Sequence, residues 1–132
     1  MIGPSLRLRL WGVAPEHASF AWLGITPGPL QHALEEAGAA FIAGYRAALR
    51  AESPAAVPLK GTLSGFASEG VAMAAAVRDA WSVRHTHWVQ DVLNRYEKYE
   101  HTIVTGAGWG LAYIPRSRWK VVLDQLPVNL RE

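Results

Sequence analysis

The sequence contains no cysteine and no long uncharged hydrophobic run. Because none of the 132 residues is cysteine, disulfides, a thiolate nucleophile and cysteine-ligated zinc or iron–sulfur centres are excluded. The longest stretches without Asp, Glu, Lys, Arg or His have fourteen residues each, from Ala18 to Gln31 and from Thr102 to Pro115. A helix that crosses a bilayer needs about 20, so we expect no membrane span.

Clustered charge is also missing. Thirteen Lys and Arg residues stand against eleven Asp and Glu residues, which gives a net charge of +2 despite a pI near 9.2. The cations are spread singly along the chain, whereas nucleic-acid-binding domains concentrate them in a patch or stripe. We therefore expect no nucleic-acid partner. The N-terminal residues lack the apolar run and cleavage site of a signal peptide, which favours a soluble cytoplasmic protein.

Half of the residues are hydrophobic, enough for a core in a single domain. A chain of this length buries roughly two-thirds of its extended-chain surface on folding. We predict one helical domain over residues 1–132, with an arm at 1–28 and a helical core at 29–126. The alternation of Leu6, Leu8 and Leu10 with arginines is typical of an extended segment.

Helical periodicity dominates the rest of the chain and predicts an all-α fold of four to five packed helices. The first predicted helix carries an apolar stripe of Leu30, Leu34, Ala37, Phe41, Tyr45 and Ala48. The second is apolar or small nearly all round, with Ser64 as its candidate cap, which indicates a central helix. The predicted helices span Pro29–Glu52, Gly65–Trp81, Thr86–Tyr99, Ile103–Ile114 and Ser117–Leu126. The start of the fourth, Ile103–Thr105, is β-branched and compatible with a strand, but since no partner strand is evident we favour a buried glycine-rich helix.

Small residues recur at a spacing of four along these helices. Ala40, Gly44 and Ala48 form one such row, Gly70 and Ala74 form a second, and Gly106 and Gly110 form a third. Rows of this kind let helix backbones approach closely. Since an interior glycine costs a helix about 1 kcal/mol relative to alanine, their repeated use indicates a steric reason. Either the helices cross unusually close together, or the glycines make room for a ligand.

Glu69 is the single charged residue between Phe66 and Val77, on the helix predicted to be central. Burying an unpaired carboxylate costs several kcal/mol, so we expect it to be paired, hydrogen-bonded or neutral. Candidate partners in the sequence are His101, Arg116 and Arg78. Glu69 is either a structural hydrogen-bonding group or an acid/base or ligand-anchoring carboxylate.

The remaining polar and aromatic residues give weaker signals. His85, His87, His101 and Asp91 match no helix-borne metal motif, so we expect no metal site and no cofactor. The glycines at 106–110 do not form a nucleotide-binding loop, because neither the dinucleotide fingerprint nor the phosphate-loop lysine is present. The second half of the chain is rich in aromatic residues, which suit a core or an apolar ligand pocket.

Three segments in order resemble the first half of an uncharacterised bacterial family. They are Leu34–Gly38 followed by Phe41, Gly44 and Tyr45, then Gly65–Gly70 with Met73, and finally Gly106–Trp109. Members of that family are often labelled enediyne biosynthesis proteins, occur in natural-product gene clusters and are usually more than twice as long. The resemblance covers roughly residues 20–116. Ser68 and Val104 depart from it, standing where the family has an aromatic residue and a histidine.

The resemblance implies a role in specialised metabolism, in which an enediyne- or polyketide-type apolar molecule is held among the helices. Glu69 is the candidate acid/base or polar anchor. The candidate ligand-binding residues are Gly70, Met73, Gly106, Gly108, Trp109 and Tyr113. The alternative is a non-catalytic helical module that binds a hydrophobic ligand or acts as a scaffold. Because the chain is about half the family's length, we also expect a homodimer with an isologous interface.

Overall fold

The computed structural model of the protein describes residues 27–130, and within them the fold is all-α, as predicted. The predicted extended arm lies almost entirely outside the described residues. Five α-helices are present in the described part, joined by short 3₁₀ turns at Pro54–Ala56, Glu97–Tyr99 and Arg116–Arg118, with a fourth such turn at Val128–Leu130. The helices are α1 (Pro29–Arg50), α2 (Ser64–Trp81), α3 (Trp88–Arg95), α4 (Glu100–Leu111) and α5 (Trp119–Leu123).

The helix ends follow from local sequence at most positions. Proline occupies the first turn of α1, where its missing N–H is not needed. Ser64 is not the cap of α2: the cap position is Leu63, and the Ser64 hydroxyl donates to the Gly61 carbonyl at 2.7 Å. Gly61 itself has a φ of 84°, a left-handed conformation that favours glycine in this turn.

The third helix is shorter than predicted, because the chain bends at Tyr96. Its backbone leaves the helical region (φ −127°, ψ 51°), and its hydroxyl donates to the carbonyls of Ala55 and Val57 in the connector after α1. The expected helix over 86–99 is therefore α3 followed by the 3₁₀ turn at Glu97–Tyr99. The glycine-rich helix exists, but it begins earlier, at Glu100, and ends at Leu111. The last helix is also shorter than the predicted 117–126.

Helix α2 is central, as its composition predicts, and contacts each of the other four helices. Nearly all of its residues from Gly70 to Ala80 are buried. Helices α1 and α2 run in the same general direction, since Arg78 near the end of α2 donates to the carbonyls of Ala48 and Ala51 at the end of α1, both at 2.8 Å. Burial lowers the pKa of Arg78 from its ordinary value, while neighbouring Asp79 opposes the shift.

The glycines mark close helix crossings, which confirms the packing that their spacing suggested. A Cβ added at Gly70 would collide with the Phe41 carbonyl of α1, and one at Gly44 would collide with the Ala67 carbonyl of α2. On the other side of α2, a Cβ at Gly106 would collide with the Glu69 carbonyl. These positions admit no side chain because backbone already fills the space.

The predicted apolar stripe of α1 is only partly buried. Tyr45 and Ala48 are fully buried, but Leu30 and Leu34 are 71% and 40% exposed. The reason is the crossing geometry: α1 meets α2 near Gly44, and α2 begins only shortly before that crossing. The first turns of α1 therefore extend past the start of α2, and their inner face is not covered by it.

A buried carboxylate joins the end of α2 to the start of α3. Asp79, 2% exposed, accepts hydrogen bonds from the backbone N–H of Trp88 at 2.9 Å and of Val89 at 3.0 Å. The side-chain amide of Gln125 also donates to Asp79 at 2.9 Å, while its oxygen accepts from the N–H of Gln90 at 3.0 Å. Side chains from two distant segments thus satisfy the otherwise unpaired donors of the first turn of α3.

Candidate functional site

Glu69 lies where α2 crosses α4, and its partner is Trp109. The indole N–H of Trp109 donates to Oε1 of Glu69 at 2.8 Å. Glu69 is half-buried at the edge of α2, because the α4 backbone passes directly beside it at Gly106. The second carboxylate oxygen has no hydrogen-bond partner among residues 27–130. An acceptor of fixed position and open to solvent is therefore available.

The predicted partners of Glu69 are wrong, because each of the three is placed elsewhere. Arg78 is directed to the carbonyls at the end of α1. Arg116 lies over the Trp119 ring at 5.3 Å. His101 is exposed at the start of α4 and makes no side-chain bond to Glu69. An indole N–H donates to a carboxylate without carrying a charge, so a search of the sequence for cationic partners does not find Trp109.

Large aromatic side chains remain exposed around this carboxylate. Trp109 is 58% exposed, Phe66 46% and Tyr113 39%. Phe66 precedes Glu69 by one turn of α2, and Tyr113 follows Trp109 by four residues, in the turn just after α4. We call these four residues the Glu69 face. Its combination of exposed apolar rings and one fixed acceptor is typical of a surface that contacts a ligand or a partner.

The other predicted ligand-binding residues occupy different surroundings. Gly106 is buried against the backbone of Glu69, and Gly70 is buried against the backbone of Phe41. Met73 is 3% exposed and belongs to the core. Gly108 has no atom within 4 Å of the position that a Cβ would take and lies on the exposed side of α4. Of the predicted set, Glu69, Gly106 and Trp109 therefore meet at one place, and Tyr113 follows in the turn after α4.

One protein family matches nearly the whole chain. Its sequence profile, described as "Protein of unknown function (DUF1702)", matches residues 4–131. The chain is a DUF1702 protein. No curated protein and no solved structure matches it. Membership in DUF1702 agrees with the resemblance to an uncharacterised family and assigns no reaction.

A second polar group of the DUF1702 protein lies buried between the helices. Tyr45 on α1 is fully buried, and its hydroxyl has no hydrogen-bond partner among residues 27–130. Burial raises the pKa of Tyr45 well above its ordinary value, and the phenol of Tyr113 adds to the shift. The sequence places Tyr45 on the apolar stripe of α1 but gives no sign that its hydroxyl is unpaired.

Surface grooves of the DUF1702 protein include two that are lined by described residues other than the predicted site residues. One, of about 440 Å³, lies between α3 and the segment after α5, with Gln90, Glu97 and Gln125 among its lining residues. The other, of about 340 Å³, follows the outer face of α1. Residues 27–130 contain no group of three or more metal-ligating side chains and no helix long and apolar enough to span a bilayer.

Proposed function

We propose that the DUF1702 protein binds an apolar small molecule at the Glu69 face, and that it serves natural-product biosynthesis of the enediyne or polyketide type. The observation that carries the proposal is the Glu69 carboxylate, fixed through one oxygen by Trp109 and open at the other. The open oxygen is suited to accept a hydrogen bond from a hydroxyl or ammonium group of the ligand. The rings of Phe66, Trp109 and Tyr113 would contact its apolar part.

The role of Glu69 in this proposal is that of an anchor. General acid/base catalysis needs a proton donor or acceptor within hydrogen-bond reach of the reacting group, and paired titratable groups divide that work. The hydrogen-bond partner of Glu69 is an indole, which does not titrate, and no second titratable side chain within residues 27–130 is bonded to it. A binding role for Glu69 is thus better supported than a catalytic one. In the enzymatic form of the proposal, Glu69 acts as the general acid or base.

A series of amphiphiles with the same alkyl chain and different head groups tests whether Glu69 anchors the ligand. Dodecylamine, dodecanol and dodecanoate are titrated into the ¹⁵N-labelled protein, and the indole N–H signal of Trp109, assigned with Trp109→Phe, is followed by NMR. We expect the ammonium and hydroxyl compounds to bind more tightly than the carboxylate. In Glu69→Gln, whose amide oxygen still accepts from Trp109, dodecylamine should bind about tenfold more weakly, since a hydrogen bond to a charged group contributes about 1.5–3 kcal/mol.

Glu97→Gln provides the matched control, because Glu97 is exposed on the 3₁₀ turn away from this face. It should leave all three affinities unchanged. Equal binding of the three compounds to the wild type, or unchanged dodecylamine affinity in Glu69→Gln, would refute the anchor. Native mass spectrometry of the purified protein adds a direct search for a co-purifying apolar metabolite.

A non-catalytic scaffold that contacts a protein partner is the second candidate, because exposed tryptophan is also typical of protein interfaces. The two candidates differ in their dependence on charge. Trp109→Ala should weaken either kind of binding, whereas Glu69→Gln should weaken the anchoring of a cationic ligand and leave an apolar protein contact nearly unchanged. We also propose that the protein is a homodimer.

A further inference from the structure

The outer face of α1 is an exposed surface on the side of the helix away from α2. Helical periodicity places residues four or three apart on one stripe. The exposed members of this stripe are His32, Glu36, Ala39, Ala43, Ala47 and Arg50. The residues that contact α2, including Gly44, Tyr45 and Ala48, lie on the opposite side. We call this stripe the outer face of α1.

Charge is distributed unequally along the outer face. Glu36 lies near its beginning, and its nearest ionic neighbour is His32 at 3.4 Å. Arg46 and Arg50 lie near its end, and within residues 27–130 no carboxylate is within ion-pair distance of either. Between the two ends, the exposed positions 39, 43 and 47 are all alanine. The groove of about 340 Å³ runs along this part and includes both arginines among its lining residues.

This layout is self-complementary. Ala43 is the midpoint between Glu36 and Arg50, which are seven residues away on either side. A second α1 that runs antiparallel, related by a two-fold axis at Ala43, brings Glu36 of one copy level with Arg50 of the other. The symmetry forms this pair twice, as an isologous interface requires. The same operation places Ala39 level with Ala47, while Arg46, at the margin of the stripe, comes level with Ala40.

We infer that the outer face of α1 is the homodimer interface, formed by antiparallel packing of two α1 helices about Ala43. The inference specifies the homodimer proposed above and does not rest on the ligand proposal. Alanine lets two helices approach to the short end of the usual 8–10 Å interaxial range. Because the contact uses the side of α1 away from α2, the Glu69 face on α2 and α4 stays open in the dimer.

The absence of cysteine from the chain allows a direct test of the register. Cα atoms lie about 2.3 Å from a helix axis, so two Ala43 Cα atoms that face each other across helices about 8–10 Å apart are within about 5.5 Å, a distance that a disulfide spans. Ala43→Cys should therefore form a covalent dimer when oxidised with glutathione disulfide. Ala33→Cys is the control: it is exposed on the same helix, but its counterpart would be about 30 Å away.

Charge reversal tests the pairing independently. Glu36→Arg places two like-charged pairs in the homodimer, and Arg50→Glu does the same with the opposite sign. Each variant alone should dimerise roughly tenfold more weakly at low salt. An equimolar mixture of the two should regain wild-type affinity, because the heterodimer again contains two opposite-charged pairs. Both side chains are exposed, so circular dichroism should show unchanged helicity.

Multi-angle light scattering and sedimentation of the wild type, from micromolar to a few hundred micromolar, measure the mass. A mass of twice 14.4 kDa, preferential cross-linking of Ala43→Cys and recovery in the mixture support the inference. A monomer throughout this range would overturn both the homodimer and its interface. A dimer in which Ala43→Cys cross-links no better than Ala33→Cys, or in which the mixture stays weak, would overturn the interface alone and leave the ligand proposal unaffected.

Discussion

Two glycines on α4, two residues apart, should respond to alanine with opposite changes in stability. At Gly108 a Cβ meets nothing within 4 Å, so Gly108→Ala should gain the helix propensity of alanine, about 1 kcal/mol. At Gly106 the same Cβ would overlap the Glu69 carbonyl of α2 and would lie 2.7 Å from its carbon. Backbone cannot move aside as a flexible side chain can, and relieving such overpacking costs about 1–3 kcal/mol or more.

Gly106→Ala should therefore lower the free energy of unfolding, because the overlap outweighs the propensity gain and α4 must move away from α2. Gly108→Ala should raise it. Urea denaturation followed by circular dichroism at 222 nm measures both, and thermal unfolding should show shifts of opposite sign, roughly 3–5 °C per kcal/mol. A stabilising Gly106→Ala would refute the close crossing. A destabilising Gly108→Ala would show that the exposed side of α4 is covered.

Three further predictions concern buried polar groups. Asp79→Ala should destabilise the fold by about 3 kcal/mol, because several donors at the start of α3 lose a charged acceptor; a loss below about 1 kcal/mol in urea denaturation would contradict this. Tyr45→Phe should change stability by less than about 0.5 kcal/mol, since its hydroxyl has no partner in the part of the chain that the structure describes. Tyr96→Phe should cost about 1–2 kcal/mol, because its hydroxyl bonds to two carbonyls are lost. Equal effects would contradict the assigned partners. Burial raises the pKa of Tyr45 and of Tyr96 above their ordinary value of 10. Above that pH the unfolded chain therefore binds fewer protons than the folded one. The free energy of unfolding should fall as pH rises past about 10. Tyr45→Phe should reduce this fall in denaturation series from pH 9 to 11, and an unchanged slope would count against it.

Helix class, the central position of α2 and the close crossings were predictable from the sequence, because they depend on periodic patterns. Spacing of small residues at four is a local property, and it identifies Gly44, Gly70 and Gly106 before their neighbours are known. The bend at Tyr96 was not predictable, since the hydroxyl bonds that accompany it reach carbonyls about 40 residues earlier in the chain. Periodicity continues through position 96 and gives no sign of the break.

The candidate site was predicted in part. The isolation of Glu69 within an apolar helix singled it out, and Trp109 was selected on separate grounds. That the two are bonded to each other depends on the register of α2 against α4, which the sequence does not specify. Asp79 was missed because it lies near the end of α2, where a charged residue is ordinary. Thr86 and Trp88, at the start of α3, give a faint signal of its role. A helix that begins without its own capping side chain needs a hydrogen-bond acceptor from elsewhere in the chain.

The capping of α3 by distant side chains has a consequence for how the molecule opens. A helix of eight residues is too short to persist alone in water, and the acceptors for its first three N–H groups come from Asp79 and Gln125. These amide protons can therefore exchange with solvent only when α3 separates both from α2 and from the chain after α5. Trp88, Val89 and Gln90 should be among the slowest-exchanging amides, although they begin one of the shortest helices, and their exchange should report the global unfolding of the domain.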